Sequence, residues 1–334
     1  MKVWKHSRWD FTMFVLSVAQ FVVTLFLALR WETWSTFGRV ASFMILTMMT
    51  VYNIIVVSHL FTHACWFNSP LLNRLVSVFN SINIGQSVQA YQLTHVRNHH
   101  RYNNDRKGPD GKTKDSSSTF RDGSGDEHVG ALHYAVSGAV ESLLSIGGSL
   151  LSVHRLWRVG AHEQELLSLA SKTSTKRARE LRQIQLDRMG HFLGLCLFLA
   201  LSWKWFLLCY LPAFFVSLAL VNIQNYYEHY GALPENNYAN SVSYYGRLYN
   251  LVAFNDGYHQ EHHLRPLAHW TQMPKIRKEC SNKLDQVERI ISPVPALLGA
   301  FHRNRKQLHR PRTVTVVSLT VQPDTKTFSK AAGS

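Results

Sequence analysis

The chain has 334 residues, enough for one large domain or two ordinary ones, and carries 36 Lys and Arg against 21 Asp and Glu. Such a surplus points to nucleic acid, an anionic membrane surface or an acidic partner; the gathering of apolar residues into long runs excludes the first, and no nucleic-acid partner is expected. Cys65, Cys196, Cys209 and Cys280 form no C-x-x-C pair, which argues against a disulfide framework and against a thiolate metal site.

The N-terminus carries Lys2, Lys5 and Arg8, and then Phe11 to Leu29 runs without a charge. About 20 apolar residues cross a bilayer core, so 11–29 is read as a span. It is too long for a signal-peptide core, and no small-residue cleavage site follows it. The basic start keeps the N-terminus cytosolic. R-W-E-T-W-S-T then lies outside, with Trp31 and Trp34 as interfacial anchors, and a second span over 37–58 returns the chain to deliver H-L-F-T-H at its inner end.

Leu71 to Leu93 is apolar but broken by Asn73, Arg74, Asn80, Asn83, Gln86 and Gln89, which predicts a helix buried in protein or lying at the interface. T-H-V-R-N-H-H-R-Y-N-N-D follows, and then a Gly-, Ser- and Asp-rich stretch expected to be irregular. Ala131 to Trp157 suits an interfacial helix, and Glu163 to Arg188 a charged one.

From Phe192 to Ile223 the only charge is Lys204, inside S-W-K-W. A basic residue between two Trp reads as a membrane-surface turn, giving spans at about 190–203 and 205–224. The expected fold is an all-α integral membrane protein of about four spans with a cytosolic helical cap. Both termini lie inside, in a bacterial inner membrane or the endoplasmic reticulum. Residues 1–310 form one domain and 311–334 a loosely ordered tail.

Of 18 histidines, nine fall in groups: His59 and His63; His95, His99 and His100; His229; and His259, His262 and His263. Helical spacings of three and four put side chains on one face, so each multi-histidine group can aim two or three ring nitrogens at one point. Neutral imidazole is the commonest metal ligand, and nine far exceed the four ligands of a structural zinc site. They suit two iron ions with positions left open for oxygen. The remaining histidines, His6, His128, His133, His154, His162, His191, His269, His302 and His309, read as surface or hydrogen-bonded residues. A bis-histidine haem protein would place imidazoles within facing spans, and a zinc transporter would need polar ligands at mid-membrane depth; neither pattern is present.

H-L-F-T-H, H-V-R-N-H-H and H-Q-E-H-H resemble the three histidine boxes of the membrane fatty acid desaturase and hydroxylase superfamily, supported by R-Y-N-N-D and by N-Y-Y-E-H-Y-G at 225–231. The resemblance covers about residues 40–280. It implies a non-haem di-iron site with the nine histidines as ligands, His229 being the extra one. O2 would be the co-substrate and a fatty acyl chain in the lipid bilayer the substrate. Asn225 matches a position that reaches iron through water in some desaturases. Glu228, Asp256 and Glu261 lie beside ligands and are expected to orient imidazoles, with exposed carboxylates balancing a basic face as the alternative.

N-Y-Y-E-H-Y-G is closer to the alkane hydroxylase branch. That branch has Glu after the first histidine of box one, where this chain has Leu60, and Glu before box two, where it has Thr94. Desaturation is the leading expectation; hydroxylation, oxidative decarboxylation to a terminal alkene and a non-catalytic metal-binding role stay open. The chain has no H-P-G-G cytochrome b5-like segment, so a separate ferredoxin, rubredoxin or cytochrome b5 with its reductase is implied, drawn by basic loops.

Overall fold

The computed structural model describes residues 2–151 and 161–310. Among these residues the fold is helical, and extended pairing is confined to two isolated bridges, Trp4 with Phe67 and Ser243 with Ile291. His154 and the tail expected over 311–334 lie outside the described residues.

Helix α1 (Asp10–Thr33) and helix α2 (Thr36–His63) are each long and apolar enough to cross a membrane. Along α1 the buried positions Met13, Ser17, Gln20, Thr24 and Leu27 alternate by four and three, one helical face. Phe11, Val15, Val18, Val22 and Phe26 point outward and are exposed. Apolar outside and partly polar inside is the arrangement lipid favours, because hydrocarbon solvates the outer face and hydrogen bonds join the inner ones.

Helix α3 (Pro70–Ile84) supplies those bonds. Gln20 Nε2 donates to the Asn83 carbonyl at 3.0 Å and Asn53 Nδ2 to Gln20 Oε1 at 2.7 Å. Asn83 Nδ2 reaches the Ser17 carbonyl at 3.0 Å, and Ser17 also bonds Asn80. Asn80 and Asn83, two of the residues that interrupt the apolar pattern of 71–93, are therefore buried partners of α1. That region is two helices, because the chain turns at Gly85 before α4 (Val88–Thr94). Gly85 has φ +68°, and a Cβ there would lie 2.3 Å from Cζ of Phe214.

Helix α5 (Ala131–Leu151), read from sequence as interfacial, is also long and apolar enough to span. After helix α6 (Ala161–Leu169), helix α7 (Ser174–Leu201) joins the charged stretch and the expected span at 190–203 into one rod. The charged stretch breaks instead at 170–173, between α6 and α7, and Gly190 at the junction is taken into the helix, where it packs against Val78. Asp187 of α7 accepts from Ser77 Oγ (3.0 Å), Ser87 Oγ (2.9 Å) and the Gln89 amide (2.9 Å), fastening α3 and α4 to it.

The chain breaks at Ser202 (φ −160°, ψ 103°), whose Oγ accepts from the Trp205 amide at 3.2 Å as helix α8 (Trp203–His229) begins. Glu32, in the last turn of α1 before the connection to α2, accepts from Ser202 Oγ at 2.9 Å and from Lys204 Nζ at 3.1 Å. Both short turns thus meet at one end of the bundle, and the histidines closing α2 and α8 lie at the other. The five candidate spans among the described residues are α1, α2, α5, α7 and α8, one more than the sequence reading.

Beyond α8 the chain folds over the histidine end as short helices, α9 (Arg247–Val252), α10 (His259–Leu264) and α11 (Met273–Glu279). Asp10, fully buried at the start of α1, anchors this cap. It accepts from His269 Nε2 at 2.9 Å and from Trp270 Nε1 at 3.1 Å.

Candidate metal centre

Four stretches of backbone carry the nine grouped histidines. His59 and His63 follow a wide π turn over Asn53–Ser58 in α2, and the second box is itself a π turn, His95–His99, continuing α4. Such turns are rare and recur at functional sites. His229 ends α8, and His259, His262 and His263 sit on α10.

These side chains converge into two adjoining groups. His59, His63, His95, His100 and His262 form one; His99, His229, His259 and His263 form the other, and the ligand atoms within each lie within 4.8 Å of one another. His100 and His263, from different groups, have ring centroids 4.4 Å apart. Each multi-histidine box was expected to aim at a single point. Box one does. Boxes two and three instead divide between the groups, because adjacent residues such as His99 and His100, or His262 and His263, project from different sides of one helix.

The donor set fits metal ions. His59 Nε2 lies 3.1 Å from His262 Nε2, His100 Nε2 3.1 Å from His95 Nε2, and His259 Nε2 3.4 Å from His229 Nε2. Two nitrogens bound at right angles to one ion at about 2.1 Å stand about 3.0 Å apart. His99 Nε2 and His263 Nε2 are buried without a hydrogen-bond partner, an arrangement that costs free energy unless something binds there.

The opposite ring nitrogens show which lone pairs face inward. His59 Nδ1 lies 2.9 Å from the Ile55 carbonyl and His229 Nδ1 3.1 Å from the Asn240 carbonyl. A carbonyl only accepts, so each Nδ1 carries its proton and each Nε2 is bare. His99 Nδ1 is held by Asp115 Oδ2 at 2.8 Å, and His263 Nδ1 by Asn103 Oδ1 at 2.8 Å. Second partners of this kind fix tautomer and ring orientation in metal sites. Burial, followed by crowding among the imidazoles, pushes His95, His100, His259 and His263 well below the usual histidine range. The same two causes act on His262. Neutral rings are what a metal requires.

The residues expected to orient imidazoles divide. Glu228 Oε1 lies 3.6 Å from His259 Nδ1, and Asp256 Oδ1 3.8 Å from His59 Nδ1. Gln224 donates to Glu228 at 2.6 Å and Tyr249 to Asp256 at 2.7 Å. Burial raises the Asp256 carboxyl to about 7. Both carboxylates are buried and so do not serve as exposed charge balance. Glu261 is fully buried, but its bonds run to Tyr245 (2.7 Å), Ser243 (3.1 Å) and, at 3.6 Å, Arg277, not to a histidine. It holds the cap together. Asn225 lies outside both groups, donating to Tyr134 Oη at 2.6 Å.

Asp115, Asn103 and Asn240 escaped the sequence reading. Asn103 stands first in the asparagine pair of R-Y-N-N-D, where φ values of 52° and 60° reverse the chain after box two. Asp115 belongs to the stretch read as irregular, and nothing local marks it. Of the histidines set aside as surface or hydrogen-bonded, His269 is bonded to Asp10 and His128 to Thr119 Oγ1 at 2.7 Å.

A family model described as fatty acid desaturase matches residues 32–293. Over 54 residues the chain is 39% identical to a sphingolipid delta(4)-desaturase of Candida albicans, a match covering 16% of this chain and 14% of that protein. The match thus spans far less than two thirds of that relative. No solved structure matches the chain. Apolar helices fit for a membrane, paired histidine clusters and a family match across most of the sequence agree: this chain belongs to the fatty acid desaturase family.

Proposed function

We propose that this chain is an oxygen-dependent desaturase acting on an unactivated C–H bond of a lipid acyl chain, at a site that holds two iron ions. One observation carries the reading. Nine imidazoles from four stretches of sequence close into adjoining groups of five and four, one for each ion. His59, His63, His95, His100 and His262 would hold one iron; His99, His229, His259 and His263 would hold the other.

Iron supplies the oxygen and C–H chemistry when bound, because no side-chain acid or base removes such a hydrogen. The chain's own residues prepare the site. Asp115, Asn103 and the carbonyls of Ile55 and Asn240 keep the Nδ1 protons turned away, leaving Nε2 lone pairs inward. Glu228 and Asp256 stand behind His259 and His59. Burial of the histidine rings limits access by bulk water.

With four crossings, by α1, α2, α7 and α8, the basic N-terminus supports a cytosolic position for both termini and the histidine end. A separate acidic electron carrier, a ferredoxin, rubredoxin or cytochrome b5, would dock there, and residues 1–310 would act as one domain. The name of the Candida relative makes a lipid-linked chain the first substrate to test. The test is aerobic expression, metal analysis of the purified chain and mass spectrometry of lipids and free acids. About two irons per chain and a lipid lighter by two hydrogens are expected, and His262→Ala should abolish that product. Zinc or no metal, with no turnover, refutes the reading.

A further inference from the structure

A cavity of about 310 Å³ lies between α3, α4 and α7. Its walls share no residue with the cavity of about 260 Å³ that the histidines border. Phe61 and Thr62 of H-L-F-T-H and Arg97 of H-V-R-N-H-H line the larger one, so boxes one and two separate the two spaces.

Charge sets this cavity apart. Arg74, Arg97, Lys176 and Arg179 line it against one carboxylate, Glu180. Glu180 is already engaged by Arg97 at 2.5 and 3.0 Å and by the Ser171 amide at 2.8 Å. Asp187, bonded to Ser77 and Gln183 of the wall, is buried and taken up by α3 and α4. Arg74, Lys176 and Arg179 are exposed, and among the described residues no carboxylate lies within ion-pair distance of them. Iron in the histidine groups would only add to this positive balance. Lys176 and Arg179 also stand in the first two turns of α7, where no acid balances them and Thr173 makes no side-chain cap. Cations there are repelled by the helix dipole, which an anion would relieve.

Gln183 adds a second demand. Its Nε2 donates to Asp187 at 2.8 Å and to the Arg74 carbonyl at 3.2 Å, two acceptors that fix the amide's orientation. Its Oε1 is left buried without a donor. The surroundings name the source of a ligand. Leu71, Leu72 and Leu75 beside Arg74 are exposed, as are Leu186, Met189 and Leu193 beyond Gln183 on α7, so the cavity sits where charge gives way to membrane.

We propose that this cavity binds an anionic phospholipid, its phosphate held by Arg74, Lys176 and Arg179, a headgroup hydroxyl donating to Gln183 Oε1, and its acyl chains along the exposed leucines of α3. Basic pockets between membrane helices take such headgroups. This lipid is not the molecule that reacts, because its site shares no wall with the histidines. An acidic protein would instead press a hydrated surface onto the leucines, at a desolvation cost.

Binding here needs neither iron nor turnover. Full-length chain in detergent is titrated with dioleoyl phosphatidylglycerol, phosphatidylethanol and phosphatidylcholine and with glycerol 3-phosphate, and bound ligand is counted by native mass spectrometry. Phosphatidylglycerol should bind at least about tenfold more tightly than phosphatidylcholine or glycerol 3-phosphate. Phosphatidylethanol, of equal charge but without a headgroup hydroxyl, should bind about fivefold more weakly than phosphatidylglycerol. Lys176→Gln with Arg179→Gln should erase the preference and leave iron content unchanged. Lys172→Gln with Arg182→Gln, which removes equal charge from exposed positions off the walls, should keep it. Equal affinity for phosphatidylglycerol and phosphatidylcholine, or a preference lost alike in both double variants, overturns the site. Glycerol 3-phosphate bound as tightly as the lipid would make the ligand a soluble phosphate, and phosphatidylethanol matching phosphatidylglycerol would overturn the contact at Gln183. An acidic ferredoxin that binds the native chain but not the Lys176 and Arg179 double variant, with no lipid preference, would give the cavity to the electron carrier instead.

Discussion

His99 Nδ1 lies 2.8 Å from Oδ2 of Asp115, and both side chains are buried. Asp115 also accepts from the Asn104 amide at 2.8 Å and from Ser117 Oγ at 2.7 Å. Burial opposes its ionisation, but attraction to His99 and these hydrogen bonds outweigh burial and hold its carboxyl well below the usual range. The loop is thereby locked to box two. Asp115→Asn keeps the shape and removes the anion. Iron affinity should fall about 10–100-fold, the usual effect of losing such a partner, while melting in detergent changes little. Metal titration of the variant checks this; unchanged affinity would show that Asp115 only shapes the loop.

The two groups differ by one imidazole, and that difference should be measurable. His63→Ala leaves four rings in its group, whereas His259→Ala leaves three in the other. His259→Ala should drop to about one iron per chain, and His63→Ala should retain more, since four nitrogens still make a closed set. Iron-to-protein ratios of both variants after identical purification decide it. Equal losses would mean that the ions do not divide as the groups do.

The Asp10 carboxylate binds the cap to α1 through His269 and Trp270. Asp10→Ala leaves the buried His269 Nε2 and the half-buried Trp270 Nε1 without their acceptor, at a cost of about 3 kcal/mol. The melting temperature should fall on the order of 5 °C, with iron released at lower temperature than from the native chain. A variant that melts with the native chain would show that the cap is held from elsewhere.

Gly85 allows α3 to turn into α4 beneath Phe214. Gly85→Ala forces a side chain into a left-handed backbone and against the ring, and should cost about 2 kcal/mol. Adding Phe214→Leu should recover part of the loss by removing the clash but not the backbone strain. A double variant no more stable than the single one would place the whole cost in the backbone.

Much of the site was legible because histidine chemistry leaves a dense local signature. H-L-F-T-H, H-V-R-N-H-H and H-Q-E-H-H cluster within a few residues, and helical periodicity brings their rings together. The partners of those rings were not legible. Asp115 meets His99 across 16 residues of irregular chain, and Asn103 meets His263 across 160. Glu261 shows the converse, for standing next to His262 in sequence it bonds Tyr245 and Ser243 and no histidine ring.

By itself the sequence determined the helical membrane character, through runs of apolar residues long enough for a bilayer, and the set of nine histidines, through their spacing. Only the tertiary structure decided how five of them part from four, which backbone carbonyls and loop side chains fix their protons, and how α5 packs beside α8 to wall a cavity at the histidines. Composition and periodicity act over one or two helical turns. Grouping and orientation depend on which helices meet and at what rotation, and those are set by contacts such as Asn83 with Ser17 and Asp187 with Ser87 between residues far apart in the chain.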